Sequence, residues 1–113
     1  MLSEYTKENR ELIISFSGEI DHHTCNRIKA KSDYDIQKYM PKKVIFDFKD
    51  VKFMDSSGIG MLIGRYKQIL RIGGQAEMIN ASKDIKRIFE MSGIFKIIPL
   101  KEETSVWVTM KWD

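Results

Sequence analysis

The stretch from Val44 to Arg65 constrains this chain more than any other. It opens on Val44-Ile-Phe-Asp-Phe48, an apolar, aromatic-rich run suited to a buried strand. Lys49 to Met54 then carries the chain into Asp55-Ser56-Ser57-Gly58. Beyond that turn the apolar period changes from that of a strand to that of a helix. Ile59, Leu62, Ile63, Tyr66, Ile69 and Leu70 make one apolar stripe, and Arg65, Lys67, Gln68 and Arg71 are expected on the wet side. The helix is expected to start at Ser56 or Ser57 and to stop at Gly73-Gly74. Strand, Ser/Gly turn and helix N-terminus together can present a hydroxyl at the positive end of a helix dipole.

The rest of the chain fits around that unit. Residues 11–17 alternate in part, with Leu12, Ile14 and Phe16 on one side, so they read as a strand ended by Gly18. Tyr5 to Glu8 is expected to pair with it as an edge strand. Asp21 is expected to cap a first helix whose inner face holds Cys25, Ile28, Ile36 and Tyr39, closed by Pro41. Gln75 to Asn80 reads as a short strand. Ser82 caps a helix with Ile85, Ile88 and Phe89 inward and Gly93 at its end, and Ile94 to Leu100 reads as a further strand. Residues 102–112 are compatible with either helix or strand. Strands separated by helices need crossovers, which predicts an α/β fold with a mixed, mostly parallel sheet. Right-handed crossovers allow helices on either face.

Composition limits the functional classes. One domain over residues 1–113 is expected, because a chain of 113 residues can bury a single core. The net charge of +3 comes from interspersed charges with no basic run, so nothing points to nucleic acid. No apolar run approaches the ~20 residues of a membrane span, and the first residues are too polar for a signal peptide. With Cys25 the one cysteine, no internal disulfide is possible, and a cytoplasmic location is expected.

Each candidate site has a plain reading beside the functional one. Asp and Ser are common helix caps and Gly permits the turn, so Asp55-Ser56-Ser57-Gly58 can be a simple helix start. Alternatively, one serine is a phosphoacceptor whose phosphate would meet free helix N–H groups. Gly58-x-Gly60-x-x-x-Gly64 has its third glycine one residue late for a dinucleotide loop and lacks the Lys-Ser/Thr of a phosphate-binding loop. A small-ligand or nucleotide-binding interaction module of a signalling assembly is therefore the weaker alternative. These glycines are expected to let the helix lie close to its neighbours. Asp21-His22-His23-x-Cys25 has no second cluster to complete a metal shell. No catalytic residue, cofactor or metal is expected.

Three segments together resemble a known family. Phe53-Met-Asp-Ser-Ser-Gly-Ile-Gly60 with Gly64-Arg-Tyr-Lys-Gln-Ile69 and Gly73-Gly74 is similar to the STAS domain of bacterial anti-sigma-factor antagonists. Gly18-Glu-Ile-Asp-His-His-Thr24 and Lys86-Arg-Ile-Phe-Glu-Met-Ser-Gly-Ile-Phe-Lys96 match the same family, nearer its sporulation antagonists than its general-stress ones. The resemblance implies a single STAS domain with four to five strands and about four helices. It implies a non-enzymatic partner switch. The unphosphorylated form binds an anti-sigma factor that is also a serine kinase, which releases the sporulation sigma factor. Phosphorylation on Ser56 turns binding off, and a PP2C-like serine phosphatase resets it. Asp21 is implied to lie near the acceptor and to serve the kinase interaction. The expected partner surface is Asp21, Asp55, Ser56, Ser57, Gly58, Ile59 and Met61, with Phe53 and Met54 further candidates for contact.

Overall fold

A computed structural model describes residues 1–101 of the chain. The order is β1 (Leu2–Thr6), β2 (Glu11–Ile20), α1 (Cys25–Tyr39), β3 (Lys43–Met54), α2 (Ser56–Arg71), β4 (Gln75–Ile79), α3 (Lys83–Ser92), a single 3-10 turn (Ile94–Lys96) and β5 (Leu100–Lys101). The five strands form one sheet in the order β1-β2-β3-β4-β5. β1 is antiparallel to β2, and every other neighbour pair is parallel. This is the mixed, mostly parallel α/β sheet expected, with three α-helices among the described residues. The undecided segment 102–112 lies outside them.

Because β2 to β5 lie side by side in chain order, every crossover steps the same way. Right-handed connections then place α1, α2 and α3 on one face. That face carries Leu12, Ile14, Phe16, Val44, Phe46, Phe48, Ala76 and Met78, all buried. Phe48 touches Phe16 at 5.3 Å between ring centroids and Phe89 of α3 at 5.1 Å, so the aromatic core reaches from β2 to α3.

Several local expectations are corrected. The edge strand is Leu2–Thr6, and residues 7–10 form its turn, with Arg10 at φ 52. Gly18 does not end β2. It sits inside the strand at φ 73, beside an irregularity in the pairing with β3. Residues 94–100 are not a continuous strand. Gly93 (φ 76) ends α3 in a left-handed cap, and a 3-10 turn follows, bonded from Lys96 N–H to the Gly93 carbonyl at 3.1 Å. On α2, Leu70 is exposed and Arg65 is buried, the reverse of the apolar-stripe reading. A neighbouring helix explains it: Arg65 Nε lies 2.9 Å from Asp33 Oδ1 of α1.

The pairing of β2 with β3 is not uniform. Ser15 lies opposite Asp47 and Ser17 opposite Asp50, so β3 spends three residues where β2 spends two. Gly18 faces Val51 and Glu19 faces Phe53, which adds a second extra residue in β3. Bulges of this kind bend and twist a strand. The two strands finish level, with Ile20 opposite Met54.

Candidate functional site

The level finish of β2 and β3 builds the site. Parallel neighbours end on the same edge of a sheet, so Asp21 and Asp55 follow their strands at adjacent points. The Asp55 N–H donates to the Ile20 carbonyl at 3.1 Å and ties the two turns together.

At the first turn, the Asp21 carboxylate accepts from the N–H groups of His23 at 2.9 Å and Thr24 at 3.0 Å. The Asp21 N–H in turn donates to Thr24 Oγ1 at 3.0 Å. This reciprocal pair is a capping box in form, with threonine in place of the usual Glu or Gln. Asp21 therefore caps, but it caps a turn that precedes α1 and not α1 itself, which starts later than expected. α1 itself starts at Cys25, and Thr24 at its cap position makes no side-chain cap bond. Thr24 also donates to the Glu19 carbonyl at 3.0 Å, which locks the turn onto β2. Sequence reading missed Thr24, although its spacing from Asp21 is the available signal. The Thr24 N–H chiefly holds the Asp21 carboxyl below the usual carboxylate range, against a smaller effect of burial. A depressed folded pKa stabilises the turn above the ordinary carboxylate pKa, and that contribution is lost as pH falls through the lowered value.

At the second turn, Asp55 is the cap of α2. Its Oδ1 accepts from the Ser57 N–H at 2.8 Å. Both serines are thus inside the helix, and the plain reading of a capped helix start holds with Asp55, not a serine, as the cap. Ser56 is exposed, and its hydroxyl has no hydrogen-bond partner among the described residues. Ser57 is half-buried. Phe53, 50% exposed, is the large apolar side chain beside the turn, and Ile59 is half-buried. Gly58, Met54 and Met61 are buried. They shape the turn from within.

Gly58 needs to be glycine because of what lies under it. A Cβ there would sit 2.6 Å from Met54 Cγ, 2.7 Å from Met54 Sδ and 3.1 Å from Ile20 Cγ2. Gly58→Ala is expected to cost roughly 1–2 kcal/mol, since overpacking outweighs the ~1 kcal/mol helix preference of alanine. Chemical denaturation checks this, and an unchanged midpoint would mean that Met54 swings aside freely. Gly60 and Gly64 differ. A Cβ at either meets nothing within 4 Å, so they do not bring helices into close contact as expected. They leave a groove of about 180 Å³ between α1 and α2, lined by Cys25, Asn26, Lys29, Ser57, Met61 and Arg65 besides the glycines.

Cys25 reports the local field. Burial pushes its thiol above the ordinary value, and the charges of Asp55 and Asp21 push it further. Both carboxylates therefore act on one point at the start of α1. Alkylation of Cys25 by iodoacetamide near neutral pH should be slower than for a free thiol, because the thiolate is the reactive form. Asp55→Asn keeps a good cap and removes the charge, so it should speed the reaction. A rate equal to that of glutathione, unmoved by the substitution, would contradict this field.

The two histidines stand with ring centroids 5.6 Å apart. Among the described residues there is no cluster of three His, Cys, Asp or Glu side chains able to hold a metal. Nor is any helix there long and apolar enough to cross a membrane.

The STAS domain family model matches residues 3–106. The anti-sigma F factor antagonist of Paenibacillus polymyxa is 39% identical over 89 residues, covering 79% of this chain and 76% of that protein. The anti-sigma-B factor antagonist of Bacillus subtilis is 26% identical over 99 residues, 87% of this chain and 89% of that one. Among solved structures, the unphosphorylated form of the anti-sigma factor antagonist SpoIIAA superposes with a TM-score of 0.75 at 26% identity, over 99% of this chain and 96% of that one. SpoIIAA in its phosphorylated form gives 0.67 at 27% identity, over 96% and 97%.

Proposed function

The chain belongs to the STAS domain family, and from that premise we propose that it is an anti-sigma-factor antagonist switched by phosphorylation of Ser56. The unmodified chain docks on an anti-sigma factor that is itself a serine kinase, and so frees a sporulation sigma factor. The kinase transfers a phosphoryl group from ATP to the Ser56 hydroxyl and then releases the product. A PP2C-like serine phosphatase removes the phosphate. The chain itself does no chemistry, and the exchange takes place in the cytoplasm.

The observation that carries this reading is the free hydroxyl of Ser56. Asp55 performs the capping that a serine at a helix start ordinarily performs, so Ser56 is exposed and unbonded in the first turn of α2. The surface around it suits a partner. Phe53 offers an exposed aromatic side chain, and Ile59 is partly accessible. Asp21 and Asp55 offer two fixed carboxylates for a cation of the kinase, while Ser57 flanks the acceptor. Gly58 and Met61 hold the turn's shape.

Incubation with the kinase and ATP should add one phosphate, located on Ser56 by fragmentation mass spectrometry, while unmodified chain displaces the sigma factor from the kinase. Full labelling of a Ser56→Ala variant would refute the site. Failure of the unmodified chain to displace any sigma factor would refute the function.

A further inference from the structure

We propose that the groove between α1 and α2 is a socket for a single carboxylate, supplied by an Asp or Glu side chain of the docking partner. The proposal deepens the partner-binding reading and rests on it for the identity of the donor.

The starting point is Arg65. It is 5% exposed, yet neither its Nε nor its Nη1 has a hydrogen-bond acceptor. The Asp33 carboxylate is 2.9 Å from Nε, but off the N–H axis, so the contact is an ion pair and not an aligned hydrogen bond. Buried guanidinium donors without acceptors are uncommon and costly, and burial here pushes the Arg65 pKa down, with the Asp33 charge opposing. The side chain lines the groove, with Nε and Nη1 sealed from solvent, so a planar acceptor seated there meets the fork of donors once the guanidinium turns toward it.

The groove has the size and address for such a group. Ser57, Gly60, Met61, Gly64 and Arg65 recur at helical spacing along α2, opposite Cys25, Asn26 and Lys29 on α1. Gly60 and Gly64 leave open the space that side chains would fill. A volume near 180 Å³ admits one carboxylate-bearing side chain but is below the ~300 Å³ at which small-molecule sites begin, so a nucleotide is too large. Lys29 adds a second cation at the rim. At the Ser57 end, Asp21 and Asp55 already raise the Cys25 thiol pKa, and that field disfavours a phosphate dianion relative to a monoanion. Ser57 joins the groove to the Ser56 surface, so a partner seated on Ser56 can reach it.

The test uses the intact chain alone, with sodium acetate as the probe, against sodium chloride at matched ionic strength. The Arg65 Nε–H resonance should shift along a saturating curve with millimolar midpoint. Gly64→Ala, which places a methyl in the groove of an intact helix, should abolish the saturation while leaving the melting temperature equal or higher. Inorganic phosphate should bind no more tightly than acetate. A linear shift, a response unchanged in Gly64→Ala, or tighter binding of phosphate would each overturn the carboxylate socket. None of these involves the kinase, so failure of the socket is distinguishable from failure of the switch. With the kinase present, Gly64→Ala should lower affinity at least tenfold, and unaltered affinity would overturn the partner as donor.

Discussion

Phosphorylation of Ser56 should weaken binding to the anti-sigma factor kinase by roughly 100-fold or more. The modification adds close to two negative charges next to Asp55, in a turn that the Asp55 N–H ties to the Ile20-Asp21 turn. A partner surface fitted to a neutral hydroxyl beside two carboxylates gains nothing from this dianion, and must desolvate it. A penalty of about 3–4 kcal/mol corresponds to two to three orders of magnitude in Kd. The dipole of α2 acts the other way, but a favourable helix end contributes about 0.3–1 kcal/mol and cannot offset it. Ser56→Asp carries one charge on a shorter arm and should lose roughly tenfold. Ser57→Ala should switch like the parent chain. Calorimetric titration of each form against the kinase decides the matter. Equal affinity of phosphorylated and unmodified chains would end the repulsion account. Salt supplies a second reading, since the penalty on an exposed group should shrink as the Debye length falls below ~8 Å.

Phe48→Ala should be the most damaging single change to the fold. Its ring is fully buried and lies in contact range of Phe16 on β2 and Phe89 on α3, so it links the sheet to a helix. Truncating a buried phenylalanine costs about 3–5 kcal/mol, a large part of the 5–15 kcal/mol that holds a domain of this kind together. The melting temperature should fall by more than about 10 °C. Because Phe48 lies in the strand that delivers Asp55 and Ser56, partner binding should decline with the folded fraction. Phe48→Leu should recover much of both. A drop of only a few degrees for Phe48→Ala would show that Phe89 and Phe16 collapse together over the gap.

The order of strands and helices was legible because each long element keeps one period. Leu12, Ile14 and Phe16 alternate on β2, and Ile59, Leu62 and Ile69 repeat at helical spacing on α2. Asp55-Ser56-Ser57-Gly58 was legible as a strand-to-helix turn, but not which residue capped it. That choice depends on backbone geometry, which put Asp55 at the cap and left Ser56 unbonded. Arg65 was misread because its counterion, Asp33, comes from another helix, and periodicity describes one helix at a time. Residues 94–100 were misread because a short apolar run such as Ile94-Phe-Lys-Ile-Ile98 suits a strand or a tight turn equally. The nearness of Asp21 to the Asp55-Ser56 turn followed from family resemblance. In physical terms it depends on where β2 and β3 end relative to each other, and no local pattern encodes that.

That relative ending makes part of β3 behave as a reading frame. The positions of β3 in the helix-facing core run Val44, Phe46, Phe48, then Val51, then Met54, with Ile45 buried outside that cluster. Steps of two give way to steps of three at each extra residue, and every such step reverses which parity of residue points inward. The two reversals cancel, so Met54 enters the core and Phe53 faces out. Exchanging Lys49, Asp50 or Lys52 for another polar residue leaves the frame untouched. Removing any one of them turns one step of three back into a step of two: Met54 stays inward, but β3 loses one of the two bulges that bend it on the way to the Asp55-Ser56 turn. The place of the Asp55-Ser56 turn is thus set as much by the number of residues between Phe48 and Met54 as by their chemistry.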